Sequence, residues 1–119
     1  MSEAANRGSD PLSALDFHVL LVLATADLYG YAIMKAIEAQ SLGAVSPEIG
    51  SLYRVLGRLM NAGRVMEVNA PEHDAELHRG RPRRYYRITQ LGRAALENEA
   101  DRLRHVVSIA NQILPEAPR

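Results

Sequence analysis

The sequence predicts a mainly α-helical chain with one small β-hairpin, and three observations carry that prediction. Apolar residues recur at helical spacing in three successive segments of the first 63 residues. Two short runs rich in β-branched and aromatic residues, Val65 to Val68 and Arg83 to Ile88, follow the third segment. A last unbroken helical pattern extends from about Gln90 to Leu114, where Pro115 stops it.

Each element has its own warrant. Residues 1–9 are polar and small and read as a flexible arm. Asp10-Pro11 then offers a capping side chain followed by proline at the first helical position. Leu12, Leu15, Val19 and Leu23, with Leu20 to Val22 beside them, make the first helix apolar on most of its surface. Such a helix must be buried on more than one side. Asp27 to Gly30 break it, and a second helix from about Tyr31 to Gln40 buries Ile33, Ala36 and Ile37 before Gly43 ends it. Ser46-Pro47-Glu48 opens a third helix with a cap, a proline and an acidic residue at the positive end of the helix dipole. Ile49, Leu52, Tyr53, Leu56, Leu59 and Met60 share its inward face, and Gly50, Ser51, Arg54 and Arg58 lie on the other side. Asn61-Ala62-Gly63 is a stop signal. The two strands are joined by a loop, Asn69 to Pro82; Thr89 caps the last helix, and residues 115–119 form a tail.

A chain of 119 residues is the size of one domain, and a hydrophobic fraction of 47% provides for a core. With no cysteine, there can be no disulfide framework, thiolate metal site or cysteine nucleophile. The longest purely apolar run, Val19 to Ala24, is too short to cross a bilayer, and the first ten residues do not resemble a signal peptide. The expectation is a soluble, cytoplasmic protein.

Zero net charge conceals an asymmetry. Residues 1–53 carry two basic against six acidic side chains, whereas residues 54–93 carry nine arginines against four acids. Five of those arginines, at 79, 81, 83, 84 and 87, crowd around Gly80 and Pro82. Pro82 forbids a helix there, so the cluster is a turn feeding a strand. Arginine matches phosphate with two parallel hydrogen bonds, and such a turn can lie along a phosphodiester backbone. Three helices followed by a two-stranded hairpin describe a winged helix-turn-helix, whose third helix enters the major groove while the wing reaches the flanking backbone. Residues 10–89 would form that domain. Gly50 and Ser51 permit close approach, and Arg54 and Arg58, one turn apart, can reach base edges or phosphates. The DNA-contacting set expected is Tyr31, Lys35, Ser46, Gly50, Ser51, Tyr53, Arg54, Arg58, Arg81, Arg83 and Arg84.

Four ordered segments resemble the successive signatures of PadR-like transcriptional regulators. They are Leu28-Tyr29-Gly30-Tyr31, Gly50-Ser51-Leu52-Tyr53-Arg54, Leu59-Met60-Asn61-Ala62-Gly63, and the stretch from Gly80-Arg81-Pro82-Arg83-Arg84-Tyr85-Tyr86-Arg87 to Arg93. The resemblance spans about residues 15–105. It implies a dimeric winged-helix repressor on a palindromic operator, often released by a small effector, in the short form with one C-terminal helix. Three departures stand out. Ser51 replaces the usual threonine, Arg54 stands where the family often has proline, and the connection holding Glu72, Asp74 and Glu76 is acidic. The family's multidrug sensors resemble one another in a central tryptophan, which this chain lacks.

The last helix, residues 90–114, places Leu96, Ala100, Leu103, Val107, Ala110 and Leu114 at alternating spacings of four and three, a coiled-coil-like seam suited to dimerisation. Val106, Ile109 and Ile113 form a second apolar stripe, and Leu15 of the first helix is expected to join the interface. An effector pocket is expected at the dimer centre, between the first helix and the last helix of the partner, walled by Phe17, His18, Leu103, His105 and Val107 and suited to a small apolar or aromatic ligand. His18 and His105 could also respond to pH. His73, Asp74, Glu76 and His78 are metal-type ligands, but with no helical register to aim them they are read as a solvated turn; no metal or cofactor is expected. No nucleophile elbow, glycine-rich phosphate loop or zinc-binding helix motif is present, so no enzyme is expected. The competing reading is a winged helix used for protein–protein contact, which would need an exposed apolar patch in place of the arginine wing.

Overall fold

The computed structural model describes residues 11–115. Its elements in chain order are α1 (Ala14–Leu23), β1 (Leu28–Tyr29), α2 (Gly30–Gln40), α3 (Ile49–Asn61), β2 (Val65–Val68), α4 (Glu72–Leu77), β3 (Tyr85–Ile88) and α5 (Gln90–Ile113). Among the described residues no helix is long and apolar enough to cross a membrane.

Helix α1 lies at the centre. Val19, Leu20, Val22 and Leu23 are all buried, and the helix packs on α2, α3, β3 and α5 together, as its all-round apolar surface requires. It starts later than expected. Asp10 lies outside the described residues, Pro11 is not helical, and the cap is Ser13, whose hydroxyl accepts from the Asp16 amide at 3.1 Å. The Leu12 amide donates to Glu99 Oε1 on α5, 3.2 Å distant, which fixes the lead-in against the last helix.

Helix α2 buries Ile33 and Ile37, while α3 buries Leu52, Val55, Leu56 and Leu59. Two residues expected on the inward face of α3 are not there: Ile49 is 46% and Tyr53 49% exposed. Ser46 is not the cap of α3 either. The helix begins after Glu48 without a side-chain cap bond, and the Ser46 hydroxyl donates to Glu38 Oε2 at 2.7 Å, pinning the loop to α2.

The sheet has three strands in the order β1-β3-β2, all antiparallel. Val65 faces Ile88 and Val68 faces Tyr85, which makes the hairpin, but Leu28 and Tyr29 also pair with Tyr86 and Tyr85. The third strand was not foreseen, because two residues carry no alternation to detect. Arg83 and Arg84 precede β3 rather than open it. The connection is not all loop, since it contains the one-and-a-half-turn helix α4.

Thr89 caps α5 as expected, accepting from the Gly92 amide at 3.0 Å and donating to the Gly63 carbonyl at 2.6 Å. Ala95 and Leu96 pack into the core cluster. From Arg104 to Pro115 only Ala110 is half-buried and every other residue is exposed.

Candidate nucleic-acid interface

The start of α2, the start of α3 and the base of the wing enclose an open cleft of about 720 Å³. Tyr29, Gly30, Tyr31, Ile49, Tyr53, Arg83 and Arg84 line it. Four of these, Tyr31, Tyr53, Arg83 and Arg84, belong to the set expected from sequence; Tyr29, Gly30 and Ile49 were missed. The missed ones were legible in part: Leu28-Tyr29-Gly30-Tyr31 was already a signature, but nothing in it revealed a strand that turns Tyr29 toward the wing. Gly30 lets the Tyr53 ring lie close, since a Cβ would stand 2.6 Å from its hydroxyl and push the tyrosine aside. Tyr53 thus fills the floor of the cleft instead of the core.

On the outer face of α3, Arg54 Nη2 donates to Ser51 Oγ at 3.1 Å, which orients the guanidinium over the first turn beside exposed Gly50. Tyr31 is half exposed, with the Lys35 ammonium 5.7 Å from its ring centroid. Lys35 also stands 3.6 Å from Glu38. The Ser46 hydroxyl, and after it the Lys35 charge, holds the Glu38 carboxyl below its ordinary range. Ser46 is therefore occupied in fixing the α2–α3 loop.

Arg58 is exposed on the outer side of α3 as expected, and its guanidinium also pairs with the buried Asp16 carboxylate, tying α3 to α1. The wing arginines also divide. Arg87 grips Asp27 with three hydrogen bonds, the shortest 2.7 Å, and its pKa is raised by that carboxylate. The Arg83 guanidinium carbon lies 4.1 Å from the Tyr29 ring centroid, with Nη1 3.6 Å from Asp74 Oδ1. Arg81 and Arg84 are exposed, and among the described residues neither has an ion pair.

The residues read as a solvated turn prove otherwise: His73 and Glu76 are exposed, but Asp74, on the inner side of α4, is 4% exposed, with His78 Nδ1 at 3.2 Å. Among the described residues no cluster of His, Asp and Glu could hold a metal ion.

A second cleft, of about 400 Å³, lies between α1 and α5, lined by Leu12, Ala14, Phe17, His18, Glu99, Arg102 and Leu103. Phe17, His18 and Leu103, expected at a pocket formed with the partner's last helix, line this cleft within one chain, together with Glu99 and Arg102, whereas His105 and Val107 are exposed further along α5. Arg102 holds the buried Glu99 carboxylate below its ordinary range, against the opposing effect of burial and with help from the Leu12 amide. His18 Nδ1 pairs with the Gln40 side-chain amide at 2.8 Å, joining this cleft to the end of α2. The predicted seam splits along its length. Leu96 is core, Leu15, Ala100, Leu103 and Ala110 are half-buried, and Val107 and Leu114 are exposed beside Val106, Ile109 and Ile113.

The model of the PadR-like family of transcriptional regulators matches residues 19–98, well over half of the chain. The chain belongs to that family. Solved structures agree on the PadR-like fold. A PadR family transcription regulator from Clostridium difficile R20291 is 24% identical, with a TM-score of 0.70 over 87% of this chain and 100% of its own. A transcriptional regulator from Clostridium thermocellum is 23% identical with a TM-score of 0.68, covering 97% of this chain and 99% of its own. A PadR-like regulator from Bacillus cereus is 23% identical with a TM-score of 0.69, over 87% and 93%. No curated protein matches. Membership of this family of transcriptional regulators supports a DNA-binding regulator.

Proposed function

We propose that the protein is a dimeric transcriptional repressor that binds a palindromic operator and is released from it by a small effector. The observation that carries the DNA contact is the cleft in which the recognition helix, the start of α2 and the wing bring Tyr31, Tyr53, Arg83 and Arg84 to one surface. Gly50, Ser51 and Arg54 approach base edges in the major groove, Tyr31, Lys35, Tyr53, Arg81 and Arg84 contact the backbone, and Ser46 acts only through the loop it fixes. Residues 10–89 form the DNA-binding unit, residues 90–114 pair with the same helix of a second copy, and the protein acts in the cytoplasm on the chromosome.

The exposed stripe of Val106, Val107, Ile109, Ile113 and Leu114 supports pairing, because it is apolar surface that the described residues leave uncovered. A two-fold dimer reads two half-sites about one helical turn apart, hence the palindrome. The cleft walled by Phe17, His18 and Leu103 supports an effector site, with Glu99 and Arg102 as its polar groups.

Fluorescence anisotropy on the gene's own promoter fragment at rising salt tests the reading. Affinity should fall with a slope of about 0.9 per phosphate neutralised and should exceed that for unrelated duplex. Binding that ignores both salt and sequence would overturn it.

A further inference from the structure

Helix α4 does nothing for the core. None of its residues belongs to the hydrophobic cluster, and its one large apolar side chain, Leu77, is 73% exposed. Yet it buries Asp74. A carboxylate is costly to remove from water unless cations or hydrogen-bond donors answer it. Here the answering groups, His78 at the end of α4 and Arg83 just before β3, both reach Asp74 Oδ1, while Oδ2 is buried without a hydrogen-bond partner among the described residues. The Tyr85 hydroxyl faces the same carboxylate, and burial first, then Asp74, raises its pKa.

Arg83 has a second partner. Its guanidinium stacks on Tyr29, whose ring in turn lies 5.5 Å from that of Tyr85. Tyr29 is the residue from which α2 begins, and it lines the DNA-facing cleft. A continuous line of contacts therefore runs from Asp74 through Arg83 to the start of the helix-turn-helix.

We propose that Asp74 is a positioning residue for operator binding: it holds Arg83 against Tyr29 and so sets the angle at which the wing presents Arg81 and Arg84 to DNA. The proposal rests on the DNA-binding reading above and narrows it, because Arg83 becomes a strut and not a phosphate contact. Charge alone makes the opposite prediction. An acidic residue in a wing repels the polyanion, so its neutralisation should tighten binding.

The test uses the full chain and compares Asp74→Asn, Arg83→Gln and the double variant by operator titration and thermal melting. Asp74→Asn should weaken operator binding about tenfold, the middle of the range for coupled charged groups, with little change in melting temperature. The double variant should bind no more weakly than Arg83→Gln alone. Wild-type protein that fails to bind would sink the operator reading itself; wild-type binding with Asp74→Asn equal or tighter would overturn only the positioning role. Should Asp74→Asn unfold, the salt slope decides. Arg83→Gln should lower affinity at every salt concentration without changing the slope, while Arg81→Gln should reduce the slope by about 0.9. An equal reduction for Arg83→Gln would make Arg83 a phosphate contact and overturn the strut.

Discussion

Gly92→Ala would test the join between the wing and the last helix. Gly92 is buried in the first turn of α5, and a Cβ there would lie 2.1 Å from the Arg64 carbonyl oxygen and 2.9 Å from Ile88 Cγ1. The carbonyl cannot step aside freely, because it accepts from the Thr89 amide at 3.0 Å and sits where α3 gives way to β2. Alanine would gain about 1 kcal/mol in helix propensity. Against this, overpacking costs about 1–3 kcal/mol, at the upper end when the neighbour is backbone, and losing the Thr89 bond adds about 1 kcal/mol. The expected net loss is about 2–3 kcal/mol. Gly57→Ala is the control: it lies within α3, where a Cβ meets nothing within 4 Å, and should gain up to about 1 kcal/mol. Urea unfolding at fixed protein concentration measures both, the concentration held because a dimer's midpoint depends on it. A Gly92→Ala midpoint at or above that of the wild type would refute the reasoning.

Ile109→Asp alters a 43%-exposed residue outside the core, so it should abolish the dimer in sedimentation while leaving helix content unchanged; an intact dimer would place the interface elsewhere. Arg58→Ala leaves the buried Asp16 carboxylate without its guanidinium partner and should cost about 1–3 kcal/mol of stability, weakening all DNA sequences alike. A selective loss of discrimination at one base position would show that Arg58 leaves Asp16 to read DNA. Glu99 has a depressed folded pKa, so its contribution to stability is full above the unfolded value of about 4.3 and is lost as pH falls through the lower folded one. Glu99→Gln should therefore shrink the drop in urea midpoint between about pH 6 and about pH 3, and an unchanged drop would assign the acid sensitivity to other groups.

Much of this fold is legible because its signals are local. Thr89 and the Asn61-Ala62-Gly63 stop act within one turn of chain, and the apolar spacing of α2 and α5 needs no partner to be seen. The Ser46 cap failed because a distant group outbid it: Glu38 claims its hydroxyl. Helix α4 was invisible because Glu72-His73-Asp74-Ala75-Glu76-Leu77 has no apolar stripe. The candidate site followed the same rule. Residue types were readable in the arginine turn and on α3, but pairing was not. Asp16 lies 42 residues from Arg58 and Asp27 lies 60 from Arg87, so sequence alone could not say which arginines were already spoken for.

The order β1-β3-β2 puts the returning strand of the wing in the middle, paired with residues 28–29 on one side and with its own hairpin on the other. During synthesis this imposes a schedule. Residues 14–61 can form their three helices as they leave the ribosome, but Tyr86, 1% exposed and part of the central cluster, is made later still. Until then Leu28 and Tyr29 have no strand to join, and the apolar face beneath them stays open. The last closing contacts are long-range ones, the kind that form slowly. The helix-turn-helix of a nascent chain therefore remains unfinished until the wing has emerged, and a chain interrupted before residue 85 offers a chaperone or protease an uncovered core.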